Sequence, residues 1–162
     1  MIDQAIHVGA FVAAIGCGLV AGIFFAFSSF VMPALGRIAP EQGINAMQSI
    51  NVAVLNVGFL SLFVGTGAIC LALLAGSHVW WDGSSGKLLL LASLLYLVGC
   101  FGVTRAFNIP LNDALAAARP ATPEAATLWA HYLGRWTMWN TVRTVAPTAS
   151  MALFVAALLL KA

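Results

Sequence analysis

The sequence predicts an all-α integral membrane protein: a single transmembrane domain over residues 1–162, folded as an antiparallel up-down four-helix bundle, with short interfacial helices in the first and third connections. Three observations predict it. Only 7% of the residues are charged and 62% are hydrophobic, whereas a soluble domain carries about 25% charged residues. Mean hydropathy is +0.98. Four apolar runs, roughly residues 5–35, 50–75, 87–107 and 134–160, meet the need for about 20 residues to cross the hydrocarbon. The net charge of +2 is too small and too dispersed to serve nucleic acid.

The first run, Ala5–Leu35, has no basic n-region before it and is too long for a signal-peptide core, so it reads as a retained span. Ala10, Ala14, Gly18, Gly22 and Ala26 recur every fourth residue. The Gly18/Gly22 pair forms a GxxxG that admits a neighbouring backbone, from within the chain or from a second copy in a homo-oligomer. Phe24, Phe25, Phe27 and Phe30 crowd its end, either as core and lipid contacts or as walls of an aromatic pocket, and Met32-Pro33 and Gly36 close it.

Pro40-Glu41-Gln42 opens a helix that leads into the second run, Ile50–Ala75. Asn45, Gln48, Ser49 and Asn56 fall within about 100° of one helical face. An amide such as Asn56 costs several kcal/mol if left unsatisfied in lipid, so it is expected to face the bundle, as an interhelical hydrogen bond or as a ligand contact. Gly76–Gly86 is a turn, with His78 exposed and Trp80-Trp81 in an interfacial aromatic belt. The third run, Lys87–Thr104, closes with Arg105 and Asn108-Ile-Pro-Leu-Asn112-Asp113, a turn shaped by two amides around a proline. After the alanine-rich linker Ala114–Ala126, Thr122 and Pro123 supply an N-cap and N1 for the last helix.

That helix carries the most informative stretch, His131–Pro147. Tyr132, Arg135, Trp136, Trp139, Asn140 and Arg143 share an arc of roughly 140°, and Gly134, Met138, Thr141 and Val145 face the other way, toward packing or lipid. Arg143 precedes an apolar run to Leu160. A charge at mid-membrane costs at least about 2.5–3.5 kcal/mol unless it snorkels or is paired. Pro147 cannot donate to the carbonyl of Arg143, so a kink is expected there. If both termini share a side, that side holds Lys87 and Lys161, and the other holds Arg37, Arg105, Arg119, Arg135 and Arg143. The positive-inside rule then puts both termini outside, in a bacterial inner membrane.

The unusual polar residues of three helices thus meet at one end: Asn45, Gln48 and Asn56; Arg105, Asn108 and Asn112; His131, Arg135, Asn140 and Arg143. They form either a network that fixes helix register or the polar cap of a cavity walled by Phe, Trp and Leu. Such a cavity suits a flat apolar molecule bearing one or two oxygens and arriving from the lipid. The scattered His7, His78 and His131 offer no metal or haem site, and no phosphate-binding glycine loop occurs. Cys17, Cys70 and Cys100 have no metal spacing and read as helix packing. Arg, Asn and Trp donors remain, able to stabilise an oxyanion, with His131 the one plausible base.

The segments AGIFFAFSSFVMPAL, MQSINVAVLN, FNIPLNDAL and YLGRWTMWNTVRT resemble the anthrone oxygenase-like family of small four-helix membrane proteins. The resemblance implies that bundle and, by analogy with fungal members that oxidise anthrones to anthraquinones, an oxygenase using O2 without a further cofactor. On that expectation Trp136 and Trp139 flank an aromatic ring. Arg135, Arg143 and Asn140 hold its oxygen, Asn56, Asn108 and Asn112 shape the mouth, and His131 or water takes the proton. A non-catalytic binder of a quinone- or lipid-like molecule and a purely structural membrane protein are the alternatives. Four helices without an internal repeat argue against a transporter.

Overall fold

The computed structural model describes residues 1–80 and 83–161; Trp81 and Asp82, expected from the sequence to belong to an aromatic belt and a turn, lie outside them. Among the described residues every element is helical: α1 Ile2–Leu35, α2 Pro40–Ala53, α3 Val57–Trp80, α4 Ser84–Ala116 and α5 Pro123–Lys161. All but α2 are long and apolar enough to cross a membrane, and the chain is an integral membrane protein. α5 packs chiefly on α1 and α4, and α3 packs on the same two from the other side, so α3 and α5 form the diagonal pair. The Trp80 indole N–H donates to Asp3, and the Lys161 ammonium lies 5.6 Å from the Trp80 ring, which places the start of α1 and the ends of α3 and α5 together. The spans therefore alternate in direction.

Two apolar cores fill the bundle. The one nearer the chain termini joins Ile6, Cys17, Leu73, Trp80, Tyr96 and Phe154; the other joins Met32, Ile44, Met47, Leu115, Trp129, Tyr132 and Trp136. α2 closes the second core. Its Gly43 lies against the Trp129 indole, where a Cβ would come within 2.7 Å of the ring. Gln48 donates from Nε2 to the carbonyls of Leu115 and Ala118 at 2.8 and 3.2 Å, satisfying acceptors that the end of α4 leaves over.

The boundaries differ from expectation in two places, each with a local cause. The second span begins at Val57, separate from α2, because Asn56 ends one helix and starts the next. Its Nδ2 donates to the Ala53 carbonyl at 2.9 Å, and its Oδ1 accepts from the Phe59 N–H at 3.0 Å. Asn56 is thus an exposed N-cap and does not face the bundle. The third span runs to Ala116, because the short helix expected in the third connection, Ile109–Ala116, joins it without a break.

That join is a π turn. α1 contains one at Phe27–Val31, and α4 contains two, Leu97–Gly102 and Thr104–Asn108. Each holds more residues per turn than an α-helix and so resets the facing of the residues beyond it. Pro33 and Pro110 lie directly after two of them and lack the N–H groups that would reach the carbonyls of Ser29 and Ala106. α5 runs unbroken through the buried Pro147.

Other expectations resolve by contact. A Cβ on Gly18 would come 2.8 Å from the Met151 sulfur, so that half of the GxxxG serves packing within the chain, whereas Gly22 is exposed with nothing within 4 Å. A tight contact lies nearby at Gly16, where an added Cβ would collide with the Thr66 hydroxyl. Trp80 is buried at the end of α3, because Asp3 and Lys161 close over it. His78 is exposed, as are Gly134, Met138 and Val145 on the outer face of α5. All three cysteines are buried and unoxidised, with the Cys17 sulfur 3.4 Å from the Ser150 hydroxyl.

Candidate functional site

Arg143 is the charged side chain that the fold buries most plainly, with 5% of its surface exposed. Its Nη2 donates to Asn140 Oδ1 at 2.8 Å and its Nη1 to Thr104 Oγ1 at 3.3 Å. The guanidinium carbon lies 4.3 Å from the Phe24 ring centre and 5.1 Å from that of Trp136, so two π-faces bracket the cation. Nε is buried without a partner. The hydrogen-bonded partners are both neutral: among the described residues no anion lies against the charge, and the Nε donor is unused.

Asn140 is the hub. It is fully buried; besides accepting from Arg143, its Nδ2 donates to the Phe24 carbonyl at 2.7 Å and to Ser28 Oγ at 2.8 Å. The i, i+3 spacing of Asn140 and Arg143 puts both on the inner face of α5. Their hydroxyl partners come from the π turns: Ser28 lies in Phe27–Val31 and Thr104 in Thr104–Asn108, whereas Phe24 lies just before the first of them. Thr104 also donates to the Cys100 carbonyl at 2.8 Å, which fixes its lone pairs for Arg143.

Two further layers stack toward the start of α5. Asn108, fully buried, donates from Nδ2 to the Trp136 carbonyl at 3.3 Å, and its Oδ1 has no partner. Asn112 Oδ1 accepts from the Tyr132 hydroxyl and from Trp136 Nε1, both at 2.8 Å. Trp136 thereby links all three layers: its indole N–H to Asn112, its carbonyl to Asn108, its ring face to Arg143.

Of the residues singled out from sequence, the structure brings together Asn108, Asn112, Trp136, Asn140 and Arg143. It separates the others. His131 and Arg135 are exposed, and twelve residues of helix hold His131 about 18 Å from Arg143 along the axis. Trp139 lies outside the cluster, stacked on Phe107 with centroids 3.7 Å apart and planes at 6°. Asn45, Asn56 and Arg105 are exposed. Sequence reading offered Phe24 as a core or lipid contact or as a pocket wall, and its ring lies under Arg143. It missed Ser28 and Thr104. The signals for them are Ser28-Ser29 within a phenylalanine run and the two prolines that follow the π turns.

The open hollow expected at this end is occupied by the Arg143 guanidinium and the Phe24 and Trp136 rings. A groove of about 450 Å³ lies between the end of α4 and the start of α5, lined by residues including Ala114, Arg119, Thr122, Glu124 and Leu128. A second, of about 340 Å³, lies at the opposite end by Trp80 and Lys161. Neither is lined by a residue of the cluster. Chemically, the cluster is a dry, aromatic-walled cation with a free donor at Arg143 Nε and a free acceptor at Asn108 Oδ1.

No curated protein and no solved structure matches the chain. A protein-family profile described as anthrone oxygenase matches residues 52–153, well over half of the length. The match takes in α3, α4 and the Asn140–Arg143 turn of α5, and leaves out α1, whose Phe24 and Ser28 complete the cluster. On that match, and with four membrane-length helices, the chain belongs to the anthrone oxygenase family and is a membrane oxygenase-like protein.

Proposed function

We propose that the protein oxidises an apolar polycyclic phenol of the anthrone type with O2, without a resident cofactor, at the Arg143 cluster. The observation that carries this reading is a buried guanidinium whose Nε has no partner and against which no anion lies among the described residues. An oxyanion supplied by the substrate completes it. Ionisation of the enol tautomer of an anthrone puts negative charge on oxygen, where the guanidinium and the Asn140 network lower its energy in a water-poor site. The delocalised anion gives an electron to O2, and a C–O bond forms between the resulting radicals. Loss of water from the hydroperoxide leaves the new carbonyl. In balance, one ring methylene and one dioxygen give one ring carbonyl and one water, the ring carbon being oxidised and both oxygen atoms reduced.

His131, exposed and a long way up the helix, does not reach that oxygen, so the proton passes to water. Asn108 and Asn112 shape the approach, the Trp136 ring walls it, and Trp139 guards its edge. Arg37, Arg105, Arg119 and Arg135 are exposed at the end that holds the cluster, and Lys87 and Lys161 at the other. That distribution supports a cytoplasmic site with both termini outside, in a bacterial inner membrane.

The test is quinone formation from emodin anthrone by the protein in lipid nanodiscs. Arg143→Ala is expected to lower the rate by roughly a hundredfold or more, the usual consequence of losing an oxyanion donor, whereas Arg135→Ala, on the exposed face, keeps it. No rate above empty nanodiscs, or equal rates in both variants, would remove the proposal. One observation favours a second reading, a polar strut that fixes helix register: Asn140 is fully satisfied within the protein.

A further inference from the structure

The cluster is buried, so a polycyclic ligand needs a way in. Phe107 on α4 and Trp139 on α5 stack across the seam between those helices, centroids 3.7 Å apart and planes within 6°. Phe107 is 39% exposed and Trp139 half-buried, which puts the pair at the lipid surface. Aromatic pairs prefer offset or edge-on arrangements with centroids about 4.5–7 Å apart. A closer, face-on sandwich is therefore held by its surroundings and is readily exchanged for another flat ring. Its two members are the chain neighbours of Asn108 and Asn140, both fully buried, and Asn108 Oδ1 is one of the buried acceptors without a partner. Phe107 and Asn108 also share the π turn Thr104–Asn108, whose looser ladder permits a change of register.

We infer that the Phe107–Trp139 stack is a lateral binding station and portal for a flat, hydroxylated aromatic molecule arriving from the bilayer. The ligand takes the place of Phe107 on the Trp139 face, and its hydroxyl donates to Asn108 Oδ1. An apolar polycycle already concentrated in the leaflet then needs no mouth toward water. A hydroxyl is required because the free atom of Asn108 only accepts. The inference rests on the proposed function for its ligand class, and binding without turnover tests it separately.

Protein in nanodiscs is mixed rapidly with dihydroxyanthraquinone or with unsubstituted anthraquinone, and tryptophan quenching is followed. The native chain prefers the dihydroxy probe. Asn108→Leu brings the ratio of the two dissociation constants close to one, and Asn108→Asp, which keeps acceptor oxygens, retains the preference. Phe107→Leu uncovers Trp139 and raises the association rate of both probes, by roughly threefold to tenfold if the ring pair supplies the usual stacking energy. Phe11→Leu, at a lipid-exposed phenylalanine on α1, leaves the rate unchanged. Thermal unfolding checks that each variant is folded. An unchanged rate in Phe107→Leu, or an equal rise in Phe11→Leu, overturns the portal; a preference that survives Asn108→Leu overturns the hydroxyl contact. Neither probe is consumed, so a failure of anthrone turnover leaves these outcomes readable.

Discussion

Replacing Arg143 by methionine separates a functional charge from a structural one. The side chain keeps its apolar stem and loses the guanidinium. Burying that charge costs about 2.5–3.5 kcal/mol or more at mid-membrane, and the unpartnered Nε adds about 1–3 kcal/mol. Against this stand two ring faces, at 4.3 and 5.1 Å, worth about 1–2 kcal/mol each when desolvated. The two hydrogen bonds, one to α4 and one within α5, are taken at about 0.6–1.7 kcal/mol each, the average and the maximum for side-chain hydrogen bonds in membrane helices. The gain is thus about 3–7 kcal/mol and the cost about 3.5–6.5, so the residue is close to neutral for folding. Arg143→Met is therefore expected to leave stability within about 1 kcal/mol, in line with buried ionic groups replaced by apolar ones elsewhere, while quinone formation falls by roughly a hundredfold or more. Reversible unfolding in mixed detergent–SDS micelles measures the first quantity and anthrone oxidation the second. A loss of about 3 kcal/mol or more, the size expected when a buried hydrogen-bond network is broken, makes Arg143 a strut and removes the basis of the proposed chemistry.

Asn140→Ala carries the opposite expectation. It breaks three contacts at 2.7–2.8 Å and strands the Arg143 Nη2 and the Phe24 carbonyl, which predicts a loss of about 2–4 kcal/mol in the same unfolding assay. Gly16→Ala drives a Cβ into Thr66 Oγ1 and is expected to cost about 1–3 kcal/mol, most of it recovered in the double variant with Thr66→Ala. His131→Gln, on the exposed edge of α5, is expected to change neither the rate of quinone formation nor its pH profile by as much as about twofold; a larger change restores His131 as the base.

Span number, helical class and the inward facing of Asn140 and Arg143 were legible in composition and spacing, because lipid leaves a chain few ways to satisfy its polar groups. The membership of the site was only half legible. A helical wheel groups His131's neighbours Tyr132 and Arg135 with Trp136, Trp139, Asn140 and Arg143 over about 140°. The buried stripe is narrower: Tyr132, Trp136, Asn140 and Arg143 are inside, Trp139 is half-buried, and Arg135 is exposed. Taken from Asn140, the inside residues span about 80° and Arg135 lies about 60° beyond them. A wheel shows which residues share a side; how much of that side the neighbours cover depends on how α1 and α4 straddle α5.

Those neighbours are also where periodicity fails. Counting at a fixed angle per residue assumes an unbroken α-ladder, and both α1 and α4 depart from it at the residues that meet Arg143 and Asn140. The π turn Phe27–Val31 presents Ser28 to Asn140, and Thr104–Asn108 presents both Thr104 and Asn108 to α5. A regular α4 would carry Asn108 round relative to Thr104 by about 40°, whereas a π turn of about 4.4 residues carries it by about 30° in the opposite sense. That difference lets two residues four apart reach different layers of one helix: Thr104 the guanidinium, Asn108 the Trp136 carbonyl. The prolines at 33 and 110 are the visible trace, since each removes a donor the α-ladder would need. The irregular turns are thus the means by which two apolar helices deliver polar groups to a third, and the charge on Arg143 is tolerated where they meet.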